Sequence, residues 1–400
     1  MTPPAINQEE KPDVRIKDIE TIVVGAPTPG NGRLSNRNYI FVLVHTDDGI
    51  TGLGEATLEG HDRSVLGAIE DLRSLVIGED PARISYITQK LRRQKFWGGG
   101  VIKGSAIAGI ELALWDIAGR RAQLPVHALI GGAIRDRIRV YANGWTGGAL
   151  DKEQIKDGAQ RAYERGYRAF KFSTAVASEP VRDAEITRLI VTMAETIREA
   201  VGPDSAIMLD GHGRYDRHLA VQIARGLADV DLLFFEEPVQ PHRVDDMAAV
   251  AGQAPMPIAA GERLTTKEEV LPYLTASALA VVQPDLAHCH GFAEARDIAA
   301  LADAFGSWAA PHAPMSPLVA VASLHLDATL PNFLIQERLL LDDWRDRVIL
   351  PPLEVSDGYI DVPSGPGWGI ELDMNLCRSK PEIVVEMPQL TRADGSVADW

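Results

Sequence analysis

AIMLDGH (206–212), DLLFFEEP (231–238) and PIAAGE (257–262) repeat one unit along the chain. Each is a short apolar run that finishes on an acidic residue: Asp210, Glu236 and Glu262, spaced by 26 and 26 residues. Two similar runs precede them, RVYANGW (139–145) and AFKFS (169–173). Three follow, ALAVVQPD (278–285), SWAAPH (307–312) and NFLIQE (332–337). The runs are rich in strand-forming residues, and enough chain for a helix separates each from the next. Eight βα units in succession close into a (β/α)8 TIM barrel. Periodicity alone leaves an open doubly wound sheet as the alternative. No G-x-G-x-x-G follows any of the runs, which weakens a dinucleotide-binding version of that sheet.

Upstream the texture differs. IKDIETIVVGA (16–26) and NYIFVLVHTDDGITGLGEA (38–56) predict a strand and a hairpin, and 61–95 and 103–122 predict helices. Strands followed by helices indicate a segregated α+β domain. The expected organisation is an N-terminal α+β capping domain over 14–135 and a barrel over 136–355. A C-terminal segment, 356–388, packs back on the cap. The last dozen residues are polar and predict a loose tail.

The 400 residues carry 40 Lys and Arg against 56 Asp and Glu, a formal net charge of −16. That balance argues against nucleic-acid or anionic-membrane partners, which need clustered positive charge. The two cysteines, Cys289 and Cys377, exclude a disulfide framework. No apolar signal region and no stretch of 18 apolar residues stand out. The expectation is a cytoplasmic enzyme acting on a small molecule.

In a barrel the strand ends meet at one mouth, where the active sites of this fold lie. Asp210, Glu236 and Glu262 then bring three negative charges together, and a divalent cation relieves the repulsion. Oxygen-only ligation favours Mg2+ over Zn2+. Asp285, His312 and Glu337 end the next three runs. A carboxylate beside an imidazole fixes its tautomer and raises its basicity, as a general base needs. His212, two residues past Asp210, is expected on the same side of its strand. His288 and His290 form an H-x-H, which leaves a zinc site as a minor alternative.

At these residues the chain resembles the mandelate racemase branch of the enolase superfamily. The stretches that carry the resemblance are GIELALWDIAGR (109–120), PVHALIGG (125–132), GYRAFKFS (166–173), LDGHGR (209–214), FFEEPV (234–239), GERL (261–264), QPDL (283–286) and APH (310–312). The resemblance spans about 14–385. It implies a capping domain on a modified barrel, with Asp210, Glu236 and Glu262 as Mg2+ ligands and an Asp285–His312 dyad as base. The racemases and lactonising enzymes of the family carry K-x-K where this chain has Lys171 and Ser173. A serine cannot take an α-proton from the opposite face, so a two-base racemase is disfavoured. D-x-H-G-R, the dyad and Glu337 together are similar to the galactonate and gluconate dehydratases, and YANGW (141–145) to members acting on sugar acids.

The resemblance therefore implies a dehydratase that converts an aldonate to its 2-keto-3-deoxy acid. His312 is expected to remove the C2 proton, and protonated His212 to give a proton to the leaving 3-OH. Glu337 is expected to hydrogen-bond the substrate carboxylate, with Lys171 adding positive charge there. The loop PTPGNGRLSNRN (27–38), with Arg33, Arg37 and Tyr39, is the expected lid. Asn143 and Trp145 are further expected substrate contacts, and Trp97 and Trp308 are candidate pocket walls. An epimerase or cycloisomerase of the same family is the alternative reaction; a barrel kept only for binding is the alternative class. Family members are often dimers or octamers, so a homo-oligomer is expected.

Overall fold

The computed structural model describes residues 14–25, 37–93, 96–174, 183–340, 344–385 and 390–398. Three strands, β1 (Ile16–Gly25), β2 (Asn38–Thr46) and β3 (Thr51–Glu55), form an antiparallel sheet in sequence order. Its register sets Ile19 opposite Val44 and Ile22 opposite Phe41. Three helices follow, α1 (Asp62–Val76), α2 (Ile84–Arg93) and α3 (Val101–Ala122). Ile107, Ile110, Leu114 and Ile117 recur on α3 at helical spacing. They share a core with Val42 and Val44 of β2 and with Ile69 and Leu72 of α1. Helix α3 lies directly on β3: a Cβ at Gly54 would stand 1.9 Å from the Gly109 carbonyl oxygen. A short helix, α4 (Val126–Leu129), leads to the barrel.

The barrel alternates β4 (Arg137–Asn143), α5 (Lys152–Glu164), β5 (Ala169–Ser173), α6 (Asp183–Val201), β6 (Ala206–Asp210), α7 (Arg217–Gly226), β7 (Phe234–Glu236), α8 (Val244–Ala251), β8 (Ile258–Ala260), α9 (Lys267–Thr275), β9 (Val281–Val282), α10 (Phe292–Ala304), β10 (Trp308–Ala309), α11 (Pro317–Asp327) and β11 (Gln336–Leu339). All eight expected strands are present, and neighbours from β4 to β10 pair in parallel. A parallel bridge between Ala309 and Phe333 joins β10 to the approach of β11, and β11 pairs with β4. The cylinder is thus closed, not an open sheet.

The departure from a regular (β/α)8 barrel comes after β11. The described chain there makes a 3-10 turn at Trp344–Arg347, then β12 (Ile349–Leu350), β13 (Tyr359–Asp361), β14 (Glu371–Leu372) and α12 (Met374–Arg378). β13 pairs antiparallel with the start of β4, and β12 pairs with β14. The returning segment ties to the first domain. Trp368 donates its N–H to Asp116 Oδ1 at 2.8 Å, and Ile383 donates to Asn38 Oδ1 at 3.0 Å. Within residues 390–398, Thr391 and Val397 form a local antiparallel bridge.

The strand period of two explains where the polar residues go. Tyr141, Ala169, Met208, Phe234, Ala259, Val281, Ala310 and Ile335 form one buried cluster, one residue from each strand or its edge. Two residues further along are Asn143, Lys171, Asp210, Glu236, Gly261, Gln283, His312 and Glu337. An apolar plug therefore lies beneath a polar ring. Among the described residues no helix is long and apolar enough to cross a membrane.

Candidate active site

Asp210 ends β6, Glu236 ends β7, and Glu262 follows β8 by two residues. Each offers a carboxylate oxygen, and the three oxygens lie within 4.8 Å of one another. Glu236 Oε1 is buried and has no hydrogen-bond partner among the described residues. Burial, and then the charge of Asp210, push the Glu236 carboxyl up to about 8. An orphaned oxygen within a crowded set of hard donors fits a divalent cation such as Mg2+. Among the described residues this is the one group of three or more His, Cys, Asp or Glu side chains spaced to hold a metal. The H-x-H pair turns elsewhere: His288 Nδ1 lies 3.0 Å from Ser105 Oγ, and His290 Nδ1 lies 3.3 Å from the Thr265 carbonyl.

Lys171 reaches into the same ring from β5. Its Nζ donates to Glu236 Oε2 at 2.8 Å and lies 3.1 Å from Glu337 Oε1 and 3.4 Å from Asp210 Oδ2. Burial opposes the ammonium charge, but Glu236 and Glu337 hold its pKa well above the ordinary lysine value. Lys171 is thus a buried counter-ion beneath the carboxylates. Glu337 also accepts from Asn143 Nδ2 at 2.6 Å and from the Ala313 N–H at 2.9 Å. Glu337 thus lies close to three donors, one of the two conditions under which it can hydrogen-bond a substrate carboxylate.

Asp285 and His312 come together as expected. His312 Nδ1 donates to Asp285 Oδ2 at 2.6 Å. Its other nitrogen, Nε2, lies 2.9 Å from Glu262 Oε2 and 3.8 Å from Glu337 Oε2. Burial opposes the imidazolium, yet Glu262 and Glu337 hold its pKa well above the ordinary histidine value. Glu262 is held well below the carboxylate range by His312, against the effect of burial. The nitrogen free of Asp285 therefore opens onto the carboxylate trio.

His212 lies against Asp210, for a reason other than strand alternation. Its φ of 49° puts it in a left-handed turn after β6. That turn brings Nε2 to 3.3 Å from Asp210 Oδ2, and the His212 N–H donates to Asp210 Oδ1 at 2.9 Å. Arg214 Nη1, 3.2 Å from His212 Nδ1, donates to it. The ring proton then belongs on Nε2, facing Asp210. Burial lowers the His212 pKa and Arg214 adds to that, while Asp210 works in the other direction.

The expected substrate contacts divide. Arg37 sits at the rim, donating to the Pro314 carbonyl at 2.9 Å and pairing with Glu59 at 2.9 Å. Asn143 is in the ring through Glu337. Tyr39 and Trp145 are core residues instead. Tyr39 is buried with its ring against Phe41 and Trp344. Trp145 donates its indole N–H to the Lys171 carbonyl at 2.8 Å and packs edge-on against Phe170. Large apolar surface is buried more favourably than exposed, which is why both rings turned inward. Trp97 is 84% exposed, and Trp308 sits half-exposed at the start of β10. Arg33 and positions 27–36 of the expected lid lie outside the described residues.

Sequence reasoning gave no role to three ring neighbours. Both amide atoms of Gln283 are buried without a partner among the described residues. Its place in the ring was readable as two residues past Val281. Glu237 and Arg263 pair beside Glu262, with Arg263 Nε donating to Glu237 Oε1 at 3.2 Å.

Comparison with known proteins agrees with this architecture. Residues 19–131 match the N-terminal domain model of mandelate racemase / muconate lactonizing enzyme, and residues 154–376 match the enolase C-terminal domain-like model. The chain belongs to the mandelate racemase / muconate lactonizing enzyme family of the enolase superfamily. It is 36% identical over 374 residues to a D-galactonate dehydratase of Ralstonia nicotianae, covering 90% of this chain and 96% of that one. It is also 36% identical over 371 residues to a D-galactonate dehydratase of Pectobacterium atrosepticum, with the same coverage. A solved mandelate racemase/muconate lactonizing enzyme from Sulfitobacter sp. superimposes with a TM-score of 0.87 at 32% identity, covering 97% of this chain and 100% of that one.

Proposed function

We propose that this protein is a Mg2+-dependent hydro-lyase. It converts a sugar acid, an aldonate such as galactonate, gluconate or arabinonate, to its 2-keto-3-deoxy acid. One observation carries the reading. The ring presents two imidazoles, His312 and His212, around one carboxylate trio, while position 173 is a serine. The similarity to proteins named D-galactonate dehydratase supports the substrate class.

Asp210, Glu236 and Glu262 would hold the cation, which supplies the charge that binds a substrate carboxylate and stabilises negative charge building on it. Asp285 fixes the His312 tautomer, and Glu262, its charge taken up by a cation, would no longer hold His312 protonated, so Nε2 is the nitrogen freed to take the C2 proton. His212, once Nδ1 takes a proton in place of the Arg214 hydrogen bond, gives a proton from Nε2 to the 3-OH as it leaves as water. A proton then returns at C3, and the enol becomes the 2-keto-3-deoxy acid. The lowered proton affinity of His212 makes it a stronger acid once protonated. Lys171 balances Glu236 and Glu337, so the substrate carboxylate enters a less negative ring. Arg37 would meet sugar hydroxyls, and Asn143 would meet the substrate beside Glu337. The first domain, 14–135 with 356–388, acts as the cap of the 136–355 barrel, and the working form is a homo-oligomer.

The test is a library of acid sugars with Mg2+, read for 2-keto-3-deoxy product by semicarbazide absorbance. A hit that disappears with chelator supports the reading. A blank library for a protein that binds Mg2+ removes the substrate class, and failure to bind Mg2+ removes the metal centre.

A further inference from the structure

Asp285 and His312 stand on loops, each three residues beyond the end of β9 and β10. A hydrogen bond of 2.6 Å between two loops needs something to fix both. Each loop runs into a helix, α10 or α11, whose first N–H groups need partners. Glycine stands at the N-cap of α10 and supplies no side chain. The acceptor comes from α3 of the first domain. Glu111 takes the Phe292 N–H at 2.8 Å and the Ala293 N–H at 3.0 Å. The approach is close enough that a Cβ at Gly291, whose φ is 108°, would stand 2.3 Å from Glu111 Oε2. On the same helix, Ser105 Oγ contacts His288 Nδ1, and His288 Nε2 lies 3.6 Å from Asp285 Oδ2.

The second loop is gripped in the same way by β3. Glu55 Oε1 accepts the Ser316 N–H at 3.0 Å, and Oε2 accepts the Ser316 hydroxyl and the Val319 N–H at 3.2 Å. Ser316 is the N-cap of α11, four residues past His312. Both carboxylates are fully buried, which raises their pKa values, Glu111 to about 7. Each nevertheless sits at a helix N-terminus, where aligned N–H groups favour negative charge.

We propose that Glu55 and Glu111 are positioning residues. From the N-terminal domain they set the loops that carry His312 and Asp285, and so the geometry of the dyad. Asp116 provides a matched control. It is a buried carboxylate of the same helix α3, accepting the Leu53 N–H at 3.0 Å and the Trp368 N–H at 2.8 Å, and it touches neither loop.

The test reads the dyad directly and needs no substrate. In protein labelled with 15N-histidine, the His312 Nδ1–H proton is identified by its loss in His312→Asn. Glu55→Gln and Glu111→Gln are expected to shift or broaden that resonance, and Asp116→Asn to leave it in place. An unchanged resonance in both glutamine variants overturns the proposal, as does its loss in all three. If a glutamine variant does not fold, Ser316→Ala removes one donor from Glu55 and is read by the same criterion. The kinetic arm rests on the proposed dehydration and uses D-galactonate as probe. There kcat should fall about 10–100-fold with KM little changed, the signature of a misplaced base. A dead wild type in that assay would count against the dehydration, while the resonance would still decide the positioning role.

Discussion

Replacing Lys171 with Met removes a buried positive charge that Glu236, Glu337 and Asp210 share at 2.8, 3.1 and 3.4 Å. At an effective dielectric of ~20, each contact at such separations is worth roughly 5–6 kcal/mol before desolvation. Taking the ammonium out of water offsets several kcal/mol of that, and deleting one partner of a buried pair destabilises by about 3–5 kcal/mol. The variant should therefore melt well below wild type in chelator. Its trio is more negative, so Mg2+ should bind it more tightly and recover much of the loss. Thermal melts of both proteins, in chelator and in saturating Mg2+, make the comparison. Equal losses in the two conditions would refute the reasoning, because they would separate Lys171 from the cation site. No loss in chelator would refute the counter-ion role itself.

Three further outcomes follow from the geometry. His312→Asn should lower kcat by about 10²–10⁴-fold, with substrate affinity little changed, in steady-state kinetics. Both carboxylate oxygens of Asp327 are buried without a partner among the described residues, and burial holds its pKa well above the ordinary value. A raised acid pKa means that stability falls as pH climbs from about 4 toward the folded-state pKa. Asp327→Asn should remove that fall and stabilise the protein at neutral pH by about 1–3 kcal/mol, read from melts across pH. Gly261→Ala should lose at least about 2 kcal/mol, and with it activity, measured by denaturant unfolding and turnover. Its φ is 154°, and a Cβ there would stand 2.5 Å from the Gln283 backbone nitrogen.

The eight strands and the trio were legible because period two and strand spacing are local properties. Asp210, Glu236, His312 and Glu337 follow the apolar plug by two residues, which a sequence displays directly. Glu262 is less regular, because Gly261 occupies its strand's place in the ring. What the sequence concealed depended on long-range contact. That His312 Nε2 meets Glu262 cannot be read from two residues 50 positions apart. Tyr39 and Trp145 look like sugar-facing aromatics until packing turns them into the core. A left-handed turn, not the pleat, brings His212 to Asp210. Glu55 and Glu111 are acids in apolar, largely buried elements, and only the docking of the first domain on α10 and α11 gives them helix ends to cap.

The central claim is that His312 takes the C2 proton and the 3-OH leaves as water. Proton NMR of the reaction in D2O, with Mg2+ and the acid sugar returned by the screen, tests it most directly. The account predicts loss of the C2 proton, one solvent deuteron at C3 of a 2-keto-3-deoxy product, and none of this in His312→Asn. Recovered substrate with inverted configuration and deuterium at C2, without keto product, would contradict it and make the protein an epimerase.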